Sequence, residues 1–313
     1  MSVRFHIQHT TRYDYDDHVS DSHHIARLSP LESASQELLL HELKISPTPD
    51  VYTTFIDYFG NLTAYFSLAT PHKSLVVDSI SEVEISRRSS SLLDLSPTWE
   101  EVRDKISLAN HANDRAASEF VYASPLCPLN KQLADYALQS FHAGTHIVEG
   151  VTDLTERIFK DFQFDRSASS VTTPVMETYH RRAGVCQDFA HFQISCLRSI
   201  GLPARYVSGY LRTEPPPGKT RLIGADASHA WISIYIPQHG WMEFDATNNL
   251  KPSYNHIRVA YGRDYHDICP VRGTVYGGGR QKLSIGVTVT PLDEAEPSAP
   301  DAINPTLTSR NSA

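Results

Sequence analysis

The sequence has little of several things that would assign it to a common class. It holds four cysteines in 313 residues, Cys127, Cys186, Cys196 and Cys269, and no C-x-x-C pair. That excludes a disulfide-dense secreted scaffold and gives no zinc-type spacing. If Cys186 and Cys196 share a helix, they lie about 15 Å apart along its axis, beyond the reach of a disulfide. No run approaches the roughly 20 apolar residues that a membrane helix needs. The opening MSVRFHIQHT lacks the uncharged apolar stretch of a signal peptide. Cationic residues are scarce: 28 Lys plus Arg stand against 36 Asp plus Glu, a formal net charge of -8. With no basic block, the chain is a poor partner for nucleic acid or an anionic membrane surface. The expectation is a soluble, cytoplasmic protein. No internal repeat is visible.

What is present suffices for a folded core. Hydrophobic residues make up 40% and charged residues 20%, which excludes wholesale disorder. The length suits two domains. Residues 1–90 read as β. Val3, Phe5 and Ile7 alternate with polar neighbours, residues 51–66 look like a hairpin around Gly60-Asn61, and 75–85 make a further strand. Several short strands with turn signals predict a small β-sandwich or barrel. The serine-rich stretch 86–97 reads as a linker. Residues 91–291 read as an α+β core, with helices predicted over 99–108, 130–141 and 151–162. The strongest helix places Val185, Phe189, Phe192, Cys196 and Ile200 on one face and ends at Gly201. The period then returns to two over 204–211, 230–236 and 241–244, with a last strand at 283–289. Residues 292–313 are poor in large apolar groups and are expected to be a disordered tail.

The chemistry gathers at Cys186. It opens the best helix in the chain, where unpaired backbone N–H groups and the helix dipole favour thiolate over thiol. Gly184 just before it would let another chain or a substrate come close. His229 opens one strand and Asp245 closes the next, and a short turn joins the two. Antiparallel pairing would bring imidazole and carboxylate within reach. A helix-borne thiol, a strand-borne imidazole and a carboxylate are the parts of a thiol acyl-transfer site. Zinc on Cys186, His229 and Asp245 is a weaker reading, because no fourth ligand is evident. Cys196 lies on the apolar helix face and reads as core. Asp188 reads as a helix-dipole partner, His191 as structural and Gln187 as a surface or substrate-orienting residue.

The segments Arg182-Ala-Gly-Val-Cys-Gln-Asp-Phe-Ala-His191, Gly201-Leu-Pro-Ala-Arg-Tyr-Val-Ser-Gly-Tyr210, Ser228-His-Ala-Trp231 and Phe244-Asp-Ala-Thr-Asn248 resemble the bacterial transglutaminase-like family. This family lies within the transglutaminase-like superfamily of papain-like cysteine enzymes. The resemblance extends to Ala260–Tyr265 and Gly277–Gly279, and to Asp57-Tyr-Phe-Gly-Asn61 in a preceding β domain. It implies Cys186, His229 and Asp245 as the catalytic residues, with no cofactor. The expected function is thiol-dependent hydrolysis of a peptide or amide bond in a peptide or protein substrate. Acyl transfer to an amine, as in a transglutaminase, and a non-catalytic binding module are the alternatives. Tyr179 and His180 are weak candidates for the second oxyanion donor. Trp231 and Trp241 would matter to a transferase only if they lined a dry amine channel; packing is the plainer role for both.

Overall fold

A computed structural model describes residues 2–86, 96–213 and 227–292 of the chain. The tail expected from 292 onward, apart from Leu292 itself, most of the 86–97 linker and the loop Pro215–Gly218 fall outside these residues. The last described residue, Leu292, donates its backbone N–H to the Arg4 carbonyl at 2.9 Å.

The strand-rich N-terminal region is built on β1 (Ser2–Ala26), a single strand of 25 residues. Its inward positions Phe5, Ile7, His9 and Thr11 are buried on a period of two. β2 (Gln36–Ser46), β3 (Val51–Ile56), β4 (Leu62–Leu68) and β5 (His72–Ser86) follow, with spatial order β2-β5-β1-β4-β3. The β3–β4 hairpin falls where the sequence signals it. Asp57 Oδ1 accepts from the backbone N–H groups of Phe59 and Asn61 at 3.0 and 2.9 Å, and Gly60 takes φ +87.

The helical part begins with α1 (Trp99–Leu108), capped by Thr98, and continues through α2 (Ala112–Ser118), α3 (Lys131–Ala137) and α4 (Ile147–Asp161). Two residues of β6 (Gln163–Phe164) run parallel to β7 (Ala183–Gly184), with α5 (Val175–Arg181) between them. Then comes α6 (Cys186–Ser199), which is buried nearly all round because it packs on α3, α5 and the second sheet. That sheet joins β8 (Ala204–Leu211), β9 (Ala227–Ile236), β10 (Gly240–Phe244) and β11 (His256–Gly262) in the antiparallel order β10-β9-β8-β11. A short α7 (Tyr265–Ile268) leads to β12 (Val271–Gly277) and β13 (Gln281–Pro291).

The last two strands depart from expectation. The sequence places residues 271–291 in the α+β core, whereas β12 and β13 pair antiparallel with β1 and complete the N-terminal sheet as a seven-stranded one. The unpaired edge of so long a strand needs a partner, and the chain returns to supply it. Gly277, Gly278 and Gly279, all at positive φ, make the reversal. A Cβ on Gly277 would sit 2.6 Å from the His18 carbonyl, so close backbone approach is what the glycine permits.

Apolar packing fixes the sheet to the core. Phe5, Ile7, Val83, Ile85, Val287 and Val289 form one buried cluster with Tyr210, Ile257 and Val259 of the second sheet. Two buried amides finish the joint. β11 is an edge strand, and Gln36 accepts from the Arg258 N–H at 2.9 Å while donating to its carbonyl at 2.8 Å. Asn61 does the same for the backbone of Tyr261, both bonds at 2.8 Å. Side chains thus replace the missing neighbouring strand. This is the physical role of the asparagine in the Asp57–Asn61 segment.

Candidate active site

Cys186 is the first residue of α6, partly exposed, with its thiol over the N-terminus of the helix. The local fold explains Gly184. A Cβ there would lie 2.7 Å from Asp188 Oδ2. The absent side chain leaves room for Asp188 to fold back and accept from the Val185 N–H at 2.7 Å and the Ser169 hydroxyl at 2.5 Å. The glycine therefore serves a helix cap rather than the approach of a substrate. Burial raises the Asp188 carboxyl above the usual range, opposed by these two hydrogen bonds.

β9 presents His229, and the β9–β10 hairpin carries Asp245 back beside it: Phe244 pairs with Ile232, one step short of the carboxylate. His229 Nε2 lies 2.8 Å from Asp245 Oδ2, and the imidazole lines the same cleft as Cys186. A carboxylate only accepts, so Nε2 carries the proton on the Asp245 side and Nδ1 is left for the thiol. The structure thus brings together all three residues singled out in the sequence. Burial disfavours the charged imidazole, but hydrogen bonds and charge from Asp245 and Cys186 outweigh it and raise His229 to about 10. Burial likewise opposes the Asp245 anion. Hydrogen bonds from His229, His256 and Asn248, with the charge of His229, hold its carboxyl well below the usual range.

His256, at the start of β11, was not singled out in the sequence. It is buried, and its Nε2 donates to Asp245 Oδ2 at 3.0 Å, so one oxygen serves two imidazoles. Asn248 adds a donor to that oxygen at 2.7 Å, and Oδ1 accepts from the N–H groups of Thr247 and Asn248 at 2.9 and 3.3 Å. Trp231 holds both rings. It tilts across His229 at 5.8 Å between centroids and meets His256 edge-on at 5.2 Å. Gly209 makes space for the indole, since a Cβ there would sit 2.5 Å from Trp231.

His229, Asp245 and His256 offer ligand atoms within 4.8 Å of one another, a spacing that a cation could use. Yet Asp245 Oδ2 already takes three N–H donors at hydrogen-bond distances of 2.7, 2.8 and 3.0 Å. A metal would have to displace protons from both imidazoles. The donor set fits a hydrogen-bonded relay better than a cage.

The other sequence candidates are structural. His191 is buried, accepts from the Tyr265 N–H at 3.2 Å, and is pushed down to about 4 by burial. Tyr179 stacks on Phe192 at 5.8 Å in the helical core. Trp231 is buried, and Trp241 packs edge-on against Phe120 and Tyr235. Gln187 donates to the Val171 carbonyl at 2.9 Å and borders the cleft over Cys186. Cys127 and Cys196 are buried; burial pushes the Cys127 thiol up to about 12 and the Cys196 thiol higher still. A larger cavity of about 660 Å³ lies around Lys105, Asp114 and the β9–β10 turn and holds no thiol.

The geometry and the comparisons with known proteins agree. Residues 5–84 match the bacterial transglutaminase-like N-terminal region, and residues 133–246 match the transglutaminase-like superfamily. An uncharacterized protein of Mycobacterium tuberculosis is 37% identical over 298 residues, spanning 93% of each chain. A crystal structure from Cytophaga hutchinsonii, provisionally described as a cysteine protease, superposes with a TM-score of 0.75 at 22% identity, covering 94% of this chain and 92% of that one. A protein-glutamine gamma-glutamyltransferase of Pseudomonas aeruginosa is 35% identical over 75 residues, 24% of this chain and 11% of that one. The fold is that of the transglutaminase-like cysteine enzymes. Within that class, the chain belongs to the bacterial transglutaminase-like family, with the N-terminal region characteristic of it.

Proposed function

We propose that the protein is a thiol-dependent hydrolase acting on a peptide or amide bond, with Cys186 as nucleophile, His229 as base and acid, and Asp245 as the orienting carboxylate. The observation that carries this reading is the His229 imidazole, which lies 2.8 Å from Asp245 Oδ2 and lines the same cleft as Cys186. His229 takes the thiol proton, and the thiolate attacks the carbonyl carbon. The oxyanion is met by the Cys186 backbone N–H. His229 then gives its proton to the leaving amine, leaving a thioester, and activates the water that releases the acid. Asp245 keeps the Nε2–H tautomer and stabilises the imidazolium, and His256 and Asn248 keep Asp245 in place. Substrates are peptides or proteins, and the setting is the cytoplasm.

Amine transfer shares the first half of this sequence and differs in what resolves the thioester. The Pseudomonas aeruginosa glutamyltransferase resemblance favours it over a short stretch. Against it, both tryptophans near the site are engaged in packing, and the cleft is rimmed by the half-exposed Leu283 and Ile285. Such a cleft offers water easy access to the thioester. With an activated acyl substrate and millimolar primary amine, free acid is expected as the main product by mass spectrometry. Amide as the main product would replace hydrolysis by transfer.

A further inference from the structure

The cleft over Cys186 lies between two bodies of the fold. It encloses about 200 Å³. One side is the catalytic core: Cys186, His229, Tyr206 and Ser208. The facing side is the N-terminal sheet, with His9, Thr11 and Tyr13 of β1 and Leu283 and Ile285 of β13. The register makes this one surface, because Tyr13 pairs with Leu283 and Thr11 with Ile285. Strand alternation sorts the charges. Arg12, Asp14 and Lys282 occupy the intervening positions and do not line the cleft. Among the described residues, the lining contains no Lys, Arg, Asp or Glu.

The wall is neutral in its titrating groups as well. His9 is buried, lies 2.9 Å from the Tyr210 hydroxyl and 3.2 Å from Thr11 Oγ1, and is lowered to about 4 by burial. Burial, with smaller contributions from Cys269 and Tyr15, raises Tyr13 to about 12. Leu283 and Ile285 are 48% and 55% exposed, two aliphatic side chains held at the mouth of a cleft with no packing need to be there. A charged side chain laid against this wall would lose water without gaining a counter-charge from it. An apolar one would cover Leu283 and Ile285 and gain about 25 cal/mol for each Å² buried.

We propose that the sheet formed by the two ends of the chain is the substrate-selecting wall of the active site, and that it selects polypeptides whose residue beside the scissile bond is uncharged and apolar. The proposal rests on the hydrolase reading of Cys186 and adds the class of side chain that the site accepts.

The test uses N-acetyl amino-acid chloromethyl ketones bearing Leu, Phe, Lys or Glu. The Cys186 thiolate displaces chloride, forming a C–S bond as the C–Cl bond breaks, and labelling rates are followed by intact mass. The Leu and Phe probes are expected to label at least about tenfold faster than the Lys and Glu probes, the scale of a single side-chain contact in an apolar pocket. In Ile285→Glu, and separately in Leu283→Glu, the Lys-to-Glu rate ratio is expected to rise at least about tenfold. Taking the ratio cancels any change in the intrinsic reactivity of the thiol, and both positions are exposed enough to accept a charge without unfolding. Equal rates for the four probes, or an unchanged ratio in both variants, would overturn the selecting wall. Parallel labelling of the wild type with iodoacetamide separates the two readings. A Cys186 that reacts quickly with iodoacetamide but without side-chain preference sinks only the wall. A Cys186 slow towards every reagent sinks the hydrolase reading and the wall with it.

Discussion

Cys186→Ala and His229→Ala are each expected to lower kcat by on the order of 10⁶-fold, and the double variant to fall no further. The shared floor follows from the geometry. A thiol without its base remains largely protonated, and a base without a thiol has nothing to activate, so either loss removes the same step. Asp245→Ala is expected to cost less, about 10⁴-fold, because it orients the imidazole without reacting. Steady-state kinetics on an activated ester or anilide would measure all four proteins. KM should change little in Asp245→Ala, whose side chain is fully buried beneath His229. Additive losses in the double variant, or wild-type turnover in Asp245→Ala, would dismantle the triad.

The second large effect is on stability. His229 is raised from 6.5 to about 10 in the folded state. Between these values the folded protein holds a proton that the unfolded chain has released. Its contribution is therefore complete below about pH 6.5 and is lost as pH climbs through 10. Asp245 works at the other end. Its carboxyl lies below the ordinary value of 3.8, so its contribution is present above that value and fades as pH falls beneath it. Urea unfolding of the wild type is expected to show stability declining from about pH 6.5 to 10. Asp245→Asn is expected to be destabilised by about 3–5 kcal/mol at neutral pH, since the charge facing two buried imidazole N–H groups is gone. Its decline between pH 6.5 and 10 should be much shallower. A wild-type profile that rises across this window would mean that His229 is neutral in the folded protein.

The three candidate residues, Cys186, His229 and Asp245, were legible because each sits at a local landmark: a helix start, a strand start and the end of a hairpin. His256 also opens a strand, but no neighbouring hairpin ties it to Asp245 in the sequence. It is one of 16 histidines, and it reaches Asp245 only when β11 closes the far side of the second sheet. The pairing of β13 with β1 was equally hidden, since it joins residues some 280 positions apart and rests on which edge needs covering. Gly184 and Asn61 were visible, but their partners were not.

The proposed mechanism stands on Cys186 as the nucleophile and His229 as its base. Iodoacetamide labelling at about pH 6, read by peptide mass spectrometry, tests it without any knowledge of the substrate. Ordinary thiols, with pKa about 8.5, are almost wholly protonated there. Labelling is expected at Cys186 first, with Cys127 and Cys196 silent while the protein is folded and Cys269 far behind. In His229→Ala the Cys186 rate should drop to that of an ordinary thiol. Equal labelling of Cys186 and Cys269, or a Cys186 rate indifferent to the loss of His229, would contradict the account.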